Sequence, residues 1–203
     1  MKTEDASYAE RLDSLETVWW KRVLDVQRPY RWHLRRLRLG FVLDIGCGVG
    51  RNLVNLGGRS AGVGVDHNAR SIAIARARGL DAYTVAEFLT SPRAIRASFD
   101  TLLLSHVAEH MRAPDVVRLL EENLRWVRPN GRVVVVTPQE AGFASDPTHL
   151  EFMDWDRIER IVREVGCVPT ARYSFPFPRA IGRWFKYNEF VVLARKGQST
   201  RGA

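Results

Sequence analysis

Short apolar runs separated by amphipathic stretches recur along most of this chain. The runs at Phe41 to Ile45, Ala61 to Val65, Asp81 to Val85, Thr101 to Leu104 and Arg132 to Val136 predict strands. Helical spacing marks the stretches between them: Arg51 to Leu56, Ala69 to Arg78, Pro92 to Ala97 and Asp115 to Val127. Ahead of the first strand, Leu12, Leu15, Val18, Trp19 and Val23 recur at steps of three and four, predicting an entry helix over residues 7–27 that Pro29 ends. After Pro138 the pattern lapses into a loop rich in Gly, Pro and Asp as far as Asp154. A helix then runs from Trp155 to Val165 with Ile158, Ile161, Val162 and Val165 on one stripe, closed by Gly166. Two last strands, Val168 to Phe175 and Glu189 to Arg195, flank an aromatic insertion. Strand and helix in alternation predict an α/β fold: a mostly parallel sheet covered on both faces. The expected division is a helical cap over residues 1–40, one domain over 41–197, and a disordered tail over 198–203.

Composition narrows the class. The chain has 203 residues and is 45% hydrophobic, ordinary for a globular domain. No apolar run approaches the roughly 20 residues of a membrane helix, and residues 1–10 lack a signal-peptide core, so a cytoplasmic protein without a membrane span is expected. The two cysteines, Cys47 and Cys167, sit in apolar settings and read as buried free thiols. The net charge of +8 favours anionic partners, with basic residues concentrated at Arg28 to Arg38 and again at Arg179, Arg183 and Lys186. Neither run has the regular aromatic interleaving of an RNA-binding track, so nucleic acid is not the favoured partner. The apolar surface of the entry helix, including Trp19 and Trp20, would suit a homodimer.

The most informative stretch is Asp44-Ile45-Gly46-Cys47-Gly48-Val49-Gly50. It places a carboxylate at a strand's C-terminal end, where ligands of open α/β sheets bind, followed by glycines that let backbone turn and approach a ligand. It is not the dinucleotide fingerprint G-x-G-x-x-G: counting from Gly46 the third glycine is replaced by Arg51, and counting from Gly48 it is replaced by Leu53. A second carboxylate, Asp66, ends the next strand, where it could accept ribose hydroxyls.

Asp-x-Gly-x-Gly-x-Gly resembles the first motif of class I S-adenosyl-L-methionine (SAM)-dependent methyltransferases. Phe99 to His110 and Leu124 to Arg132 resemble that family's fourth strand and the turn into its fifth, so the resemblance covers about residues 40–137. It implies a Rossmann-like seven-stranded sheet with a C-terminal antiparallel hairpin, and SAM as cofactor. Carried over residue by residue, it implies cofactor contacts from Asp44, Gly46, Gly48, Gly50, Asn52, Asp66, His67, Asn68, Ser105 and His106. Glu87 stands where the family has an Asp near the adenine amino group, Phe88 beside it would pack on the ring, and Tyr30 lies in a region that often closes over the cofactor.

A hydroxyl acceptor needs a base or a Lewis acid, because its pKa lies far above 7. His106, Glu109 and His110 stand at i, i+3 and i+4, on one face if the chain turns helically after Ser105. They resemble the Glu-x-x-Glu-His element of metal-dependent O-methyltransferases, with His149 in the place of a further ligand. His106 departs from that pattern, since the family has Glu there. The resemblance implies a divalent-metal site of His106, Glu109, His110 and His149. Mg²⁺ is one candidate ion, but the imidazoles suit a first-row transition metal better. Without metal, His149 is the candidate base, with Asp146 or Glu151 placed to orient its ring.

The aromatic segments Phe175 to Pro178 and Trp184 to Tyr187, beside Arg and Lys, suit a sugar ring or a nucleobase. The small, Arg-rich chain resembles the small mycobacterial sugar O-methyltransferases of methylmannose polysaccharide synthesis, which implies a small carbohydrate acceptor. Three other readings stay open: an RNA 2′-O-methyltransferase, a small-molecule N-methyltransferase, and a SAM-binding protein without catalysis.

Overall fold

The structure, a computed structural model, describes residues 28–197. The expected entry helix and terminal tail lie outside the described residues. The boundary between Ala94 and Ile95 separates two compact units. The strands form a seven-stranded sheet in the order β3-β2-β1-β4-β5-β7-β6.

The first unit contains α1 (Arg28–Arg36), β1 (Val42–Ile45), α2 (Arg51–Leu56), β2 (Gly62–Asp66), α3 (Ala69–Ala77), β3 (Ala82–Thr84) and α4 (Val85–Thr90). Every residue of β1 and β2 is buried, as parallel strands covered on both faces must be. β1 pairs with β2 from Val42↔Gly62 to Ile45↔Val65, and β2 pairs in parallel with β3. Asn68 caps α3 by accepting the Arg70 and Ser71 N–H groups, and Thr84 with Glu87 forms a capping box that starts α4.

That capping box explains two departures from the sequence expectation. It begins a helix at Val85, which shortens the third strand to Ala82–Thr84. It also moves the helix ahead of Pro92, so residues 92–97, expected to be helical, form turns instead. The helix that Pro29 was expected to end lies outside the described residues; Pro29 itself lies in α1, near the start of its described length, where a missing N–H costs little.

The second unit contains β4 (Phe99–Ser105), α5 (Ala113–Leu124), β5 (Val127–Pro138), α6 (Glu140–Ala144), α7 (Trp155–Glu164), β6 (Cys167–Phe175) and β7 (Glu189–Lys196). β4 and β5 are parallel, and β7 runs antiparallel to β5 and to β6, giving the expected terminal hairpin. The turn expected at Pro129–Gly131 appears as an irregularity within β5: pairing jumps from Phe99↔Val127 to Thr101↔Arg132, and Asn130 takes a φ of 59°. The expected loop after Pro138 holds the short α6, and Asp154 caps α7 by accepting the Arg157 N–H. Pairing of Ser105 with Val136 and of Pro138 with Glu189 brings the end of β4, the end of β5 and the start of β7 to one edge.

Both cysteines are buried and free. Among the described residues no helix is long and apolar enough to cross a membrane.

Gly62 has an extended backbone, so its requirement is steric: a Cβ there would lie 2.0 Å from the Val42 carbonyl oxygen. Backbone in a paired strand cannot yield as a flexible side chain does. Gly62→Ala is therefore expected to destabilise the protein by about 3 kcal/mol, read from urea unfolding, whereas a change under about 0.5 kcal/mol would refute the contact.

Candidate active site

In the first unit the glycine turn is held from below. Gly46 and Cys47 donate N–H groups to the Val65 carbonyl at 2.7 and 3.2 Å, tying the turn to the end of β2. The three turn glycines, Gly46, Gly48 and Gly50, have φ of 71°, 53° and 82°, a region that L side chains enter at a cost. Asp66 accepts the Gly48 N–H with one oxygen and the Asn68 N–H with the other, both at 2.8 Å. The carboxylate expected to face a ribose thus also braces the turn, and each oxygen keeps a further lone pair.

Asp44 is fully buried beneath this turn. One oxygen faces the Asn52 side-chain amide at 3.3 Å, and Oδ2 has no hydrogen-bond partner. Burial pushes its carboxyl up to about 7, against the lowering effect of Asn52 and with the nearby Asp66 adding to the rise. A buried carboxylate oxygen without a donor is costly, and a cationic ligand group would complete it.

The other expected cofactor residues of this unit divide. His67 is exposed, Asn68 serves as a helix cap, and Tyr30 is half-buried on α1. Glu87 is exposed and already engaged: the Arg76 side chain holds it bidentately and it closes the capping box, which keeps its carboxyl down at about 2. Phe88, expected to pack on a ligand ring, is instead 2% exposed and belongs to the core. The apolar side chains that α4 exposes are Val85 and Leu89, four residues apart.

In the second unit the chain does not turn helically straight after Ser105. His106 takes a left-handed φ of 58°, and a single 3-10 turn begins only at Ala108. This separates the expected ligands. His106 Nδ1 lies 3.2 Å from Glu109 and its Nε2 lies 2.8 Å from Glu189. Carboxylates only accept, so both ring nitrogens carry hydrogen and His106 is a cation. Burial opposes that charge, but the Glu109 and Glu189 carboxylates outweigh it and hold the imidazole well above its ordinary pKa. An imidazolium with both nitrogens engaged offers no lone pair to a metal, which corrects its expected role as a ligand.

Glu109, His110 and His149 come together, with one ligand atom from each lying within 4.8 Å of the others. His110 Nδ1 faces the Thr148 carbonyl at 3.2 Å, and His149 Nδ1 faces the Phe143 carbonyl at 2.8 Å. A carbonyl only accepts, so each Nδ1 carries a hydrogen, and in the neutral ring the Nε2 lone pair is then the one left to a ligand. Burial lowers the His110 pKa and favours the neutral ring. Glu109 is fully buried; its Oε1 takes the His106 hydrogen bond and its Oε2 has no partner. Two imidazole lone pairs and one unfilled carboxylate oxygen form a donor set suited to a divalent transition metal or to proton transfer.

Asp146 and Glu151, expected to orient the His149 ring, make their hydrogen bonds elsewhere, though the charge of Asp146 is felt at His149 and His110. Asp146 accepts the Thr148 N–H and hydroxyl, fixing the residue that holds His110. Glu151 accepts the Ala113 N–H at the start of α5 and pairs with Arg157. His149 is set instead by the Phe143 carbonyl and by stacking on the Phe143 ring at 5.2 Å. Sequence reasoning missed Glu189. Its one available signal was position: the first residue of an antiparallel last strand lies at the edge where the parallel strands end. Beside His110 a groove of about 460 Å³ opens, with Met111, Arg112, Arg118 and Leu150 among its lining.

Residues 43–135 match the family model described as a methyltransferase domain. The chain has the Rossmann-like methyltransferase fold. A SAM-dependent methyltransferase from Archaeoglobus fulgidus is similar over 84% of this chain and 94% of its own, with a TM-score of 0.61 and 19% identity. A chain of the complex between the Haloferax volcanii Trm112 methyltransferase activator and the putative methyltransferase matches over 95% and 97%, with a TM-score of 0.69 and 17% identity. Magnesium protoporphyrin IX methyltransferase from Synechocystis PCC 6803, with bound SAH, matches over 96% and 97% at 0.66 and 12%. No curated protein matches the chain. The family-model match places a methyltransferase domain over residues 43–135, and the solved structures share its fold.

Asp44 sets a pH dependence. Its carboxyl has a pKa near 3.8 when unfolded and about 7 when folded, so folding takes up a proton between those values and stability falls as pH rises through that window. Asp44→Asn removes the loss. In ligand-free protein the variant is expected to match the parent near pH 4 and to exceed it at pH 8 by about 2–4 kcal/mol, measured by urea unfolding. Parallel pH profiles would contradict the assignment.

Proposed function

We propose that this protein is a SAM-dependent O-methyltransferase acting on a sugar hydroxyl, and that the Glu109, His110 and His149 cluster prepares the acceptor. The observation that carries this reading is the unpartnered, fully buried Oε2 of Glu109 beside two imidazoles whose lone pairs are left available. Amine acceptors carry their own lone pair, whereas a hydroxyl must be relieved of a proton, and such a cluster suits that need.

In the first unit the glycine turn, Asp44 and Asp66 would hold the cofactor. The unpaired Asp44 Oδ2 fits an ammonium group, and the remaining lone pairs of Asp66 fit ribose hydroxyls. Bound SAM supplies an electrophilic methyl group. In the second unit His149 Nε2 would accept the acceptor proton, while Phe143 fixes its tautomer and Thr148 fixes that of His110. With a divalent ion bound, His149 Nε2 would instead be a ligand beside Glu109 and His110, and the ion would act as the Lewis acid on the acceptor oxygen in place of the base. The polar cluster, with aromatic side chains elsewhere in the unit, suits a carbohydrate, and the resemblance to sugar O-methyltransferases supports that acceptor.

Labelled SAM offered with short mannosides, glucosides and RNA oligomers, each with EDTA or with added Mg²⁺ or Mn²⁺, tests the reading. Transfer to a sugar is expected, with His149→Ala lowering kcat by about 100-fold or more while SAM binding stays intact. Loss of transfer in EDTA would assign the cluster to a metal. Transfer to RNA alone, or a kcat unchanged by His149→Ala, would overturn the proposal.

A further inference from the structure

The connection between β6 and β7 presents apolar surface that folding would ordinarily hide. Among the described residues eleven large hydrophobic side chains are exposed, and four of them fall in this one connection: Phe177, Ile181, Trp184 and Tyr187. Trp184 is 77% exposed. Ile181 and Trp184 lie three apart across a 3-10 turn, which places them on the same side.

This exposure is built in rather than accidental. Gly182 packs so tightly on Gln139 that a Cβ would lie 1.7 Å from its amide oxygen. Asn188, fully buried, accepts the Phe177 N–H at 2.9 Å and donates to Gln139 at 3.0 Å. Phe185 packs edge-on against Phe177 and Tyr187. Clamped at three points, the turn cannot fold its tryptophan inward.

Charge selects what it meets. Residues 173–188 contain Arg179, Arg183 and Lys186 and no carboxylate. Arg179 is paired with Glu140, while Arg183 and Lys186 are exposed, with the Lys186 ammonium 4.9 Å from the Tyr187 ring centre. Tryptophan and tyrosine beside cations on flexible stems match the interface of a bilayer, where rings sit at headgroup depth and the charges reach lipid phosphates. With Glu140 beside Arg179 and Arg183 the patch keeps a net positive charge, and its two outward cations are too few to track a nucleic-acid backbone.

We infer that the β6–β7 connection is a docking surface for an anionic lipid bilayer, with Trp184 as the inserted ring and Arg183 and Lys186 as the headgroup contacts. This holds independently of how the histidine cluster is used. The test is flotation of the full chain with phosphatidylcholine vesicles, with and without phosphatidylserine. Binding is expected only with the anionic lipid, and Arg183→Gln with Lys186→Gln should lower partitioning about thirtyfold, roughly fivefold for each cation. Trp184→Ser should lower it separately, and Trp184→Phe should remove the blue shift of tryptophan emission on vesicle addition. These side chains are exposed, so the thermal midpoint should not move. Equal behaviour with neutral and anionic vesicles, or binding retained in both variants, would overturn the inference.

Discussion

The candidate chemistry of this protein depends on one ion-pair arrangement, the His106 ring held between Glu109 and Glu189. A buried carboxylate is expensive unless something pays its desolvation, and Glu109 is wholly buried. The imidazolium satisfies one of its oxygens and leaves the second open beside His110 and His149. The left-handed φ of His106 belongs to the same arrangement, with the ring reaching both Glu109 on its own turn and Glu189 on the last strand.

The first unit repeats the theme with different parts. Asp44 is buried, half satisfied by Asn52, and open at its second oxygen. Here burial outweighs Asn52 and the nearby Arg51, so the group carries its proton more readily, and a cationic ligand is what would complete it. In both units the residues left unsatisfied are carboxylates, and the residues around them are fixed by backbone carbonyls, caps and turns. Such preorganised, incomplete polar sites are what ligand binding completes.

Much of the fold was legible because its strands are buried runs and its helices amphipathic, so periodicity alone located β1, β2, β4, β5 and the hairpin. The error arose where a local device overrode pattern: the Thr84–Glu87 capping box displaced a helix. At the site, the residue types at Asp44, Asp66, Glu109, His110 and His149 pointed to ligand chemistry, because carboxylates and histidines at strand ends have few structural uses. Their partners were not legible. Phe143 and Thr148 act through backbone carbonyls, which no side-chain identity encodes, and Glu189 meets His106 only through the pairing of the last strand. Spacing alone put His106 with the ligands, whereas Glu109 and Glu189 engage both of its ring nitrogens.

The protonation pattern of the histidines tests this account most directly. Long-range ¹H–¹⁵N correlation spectra of ¹⁵N-labelled protein at neutral pH, assigned through single histidine substitutions, report each ring's state. His106 should appear as an imidazolium, and His110 and His149 as Nδ1–H tautomers with unprotonated Nε2. A neutral His106, or Nε2–H tautomers at His110 and His149, would contradict it.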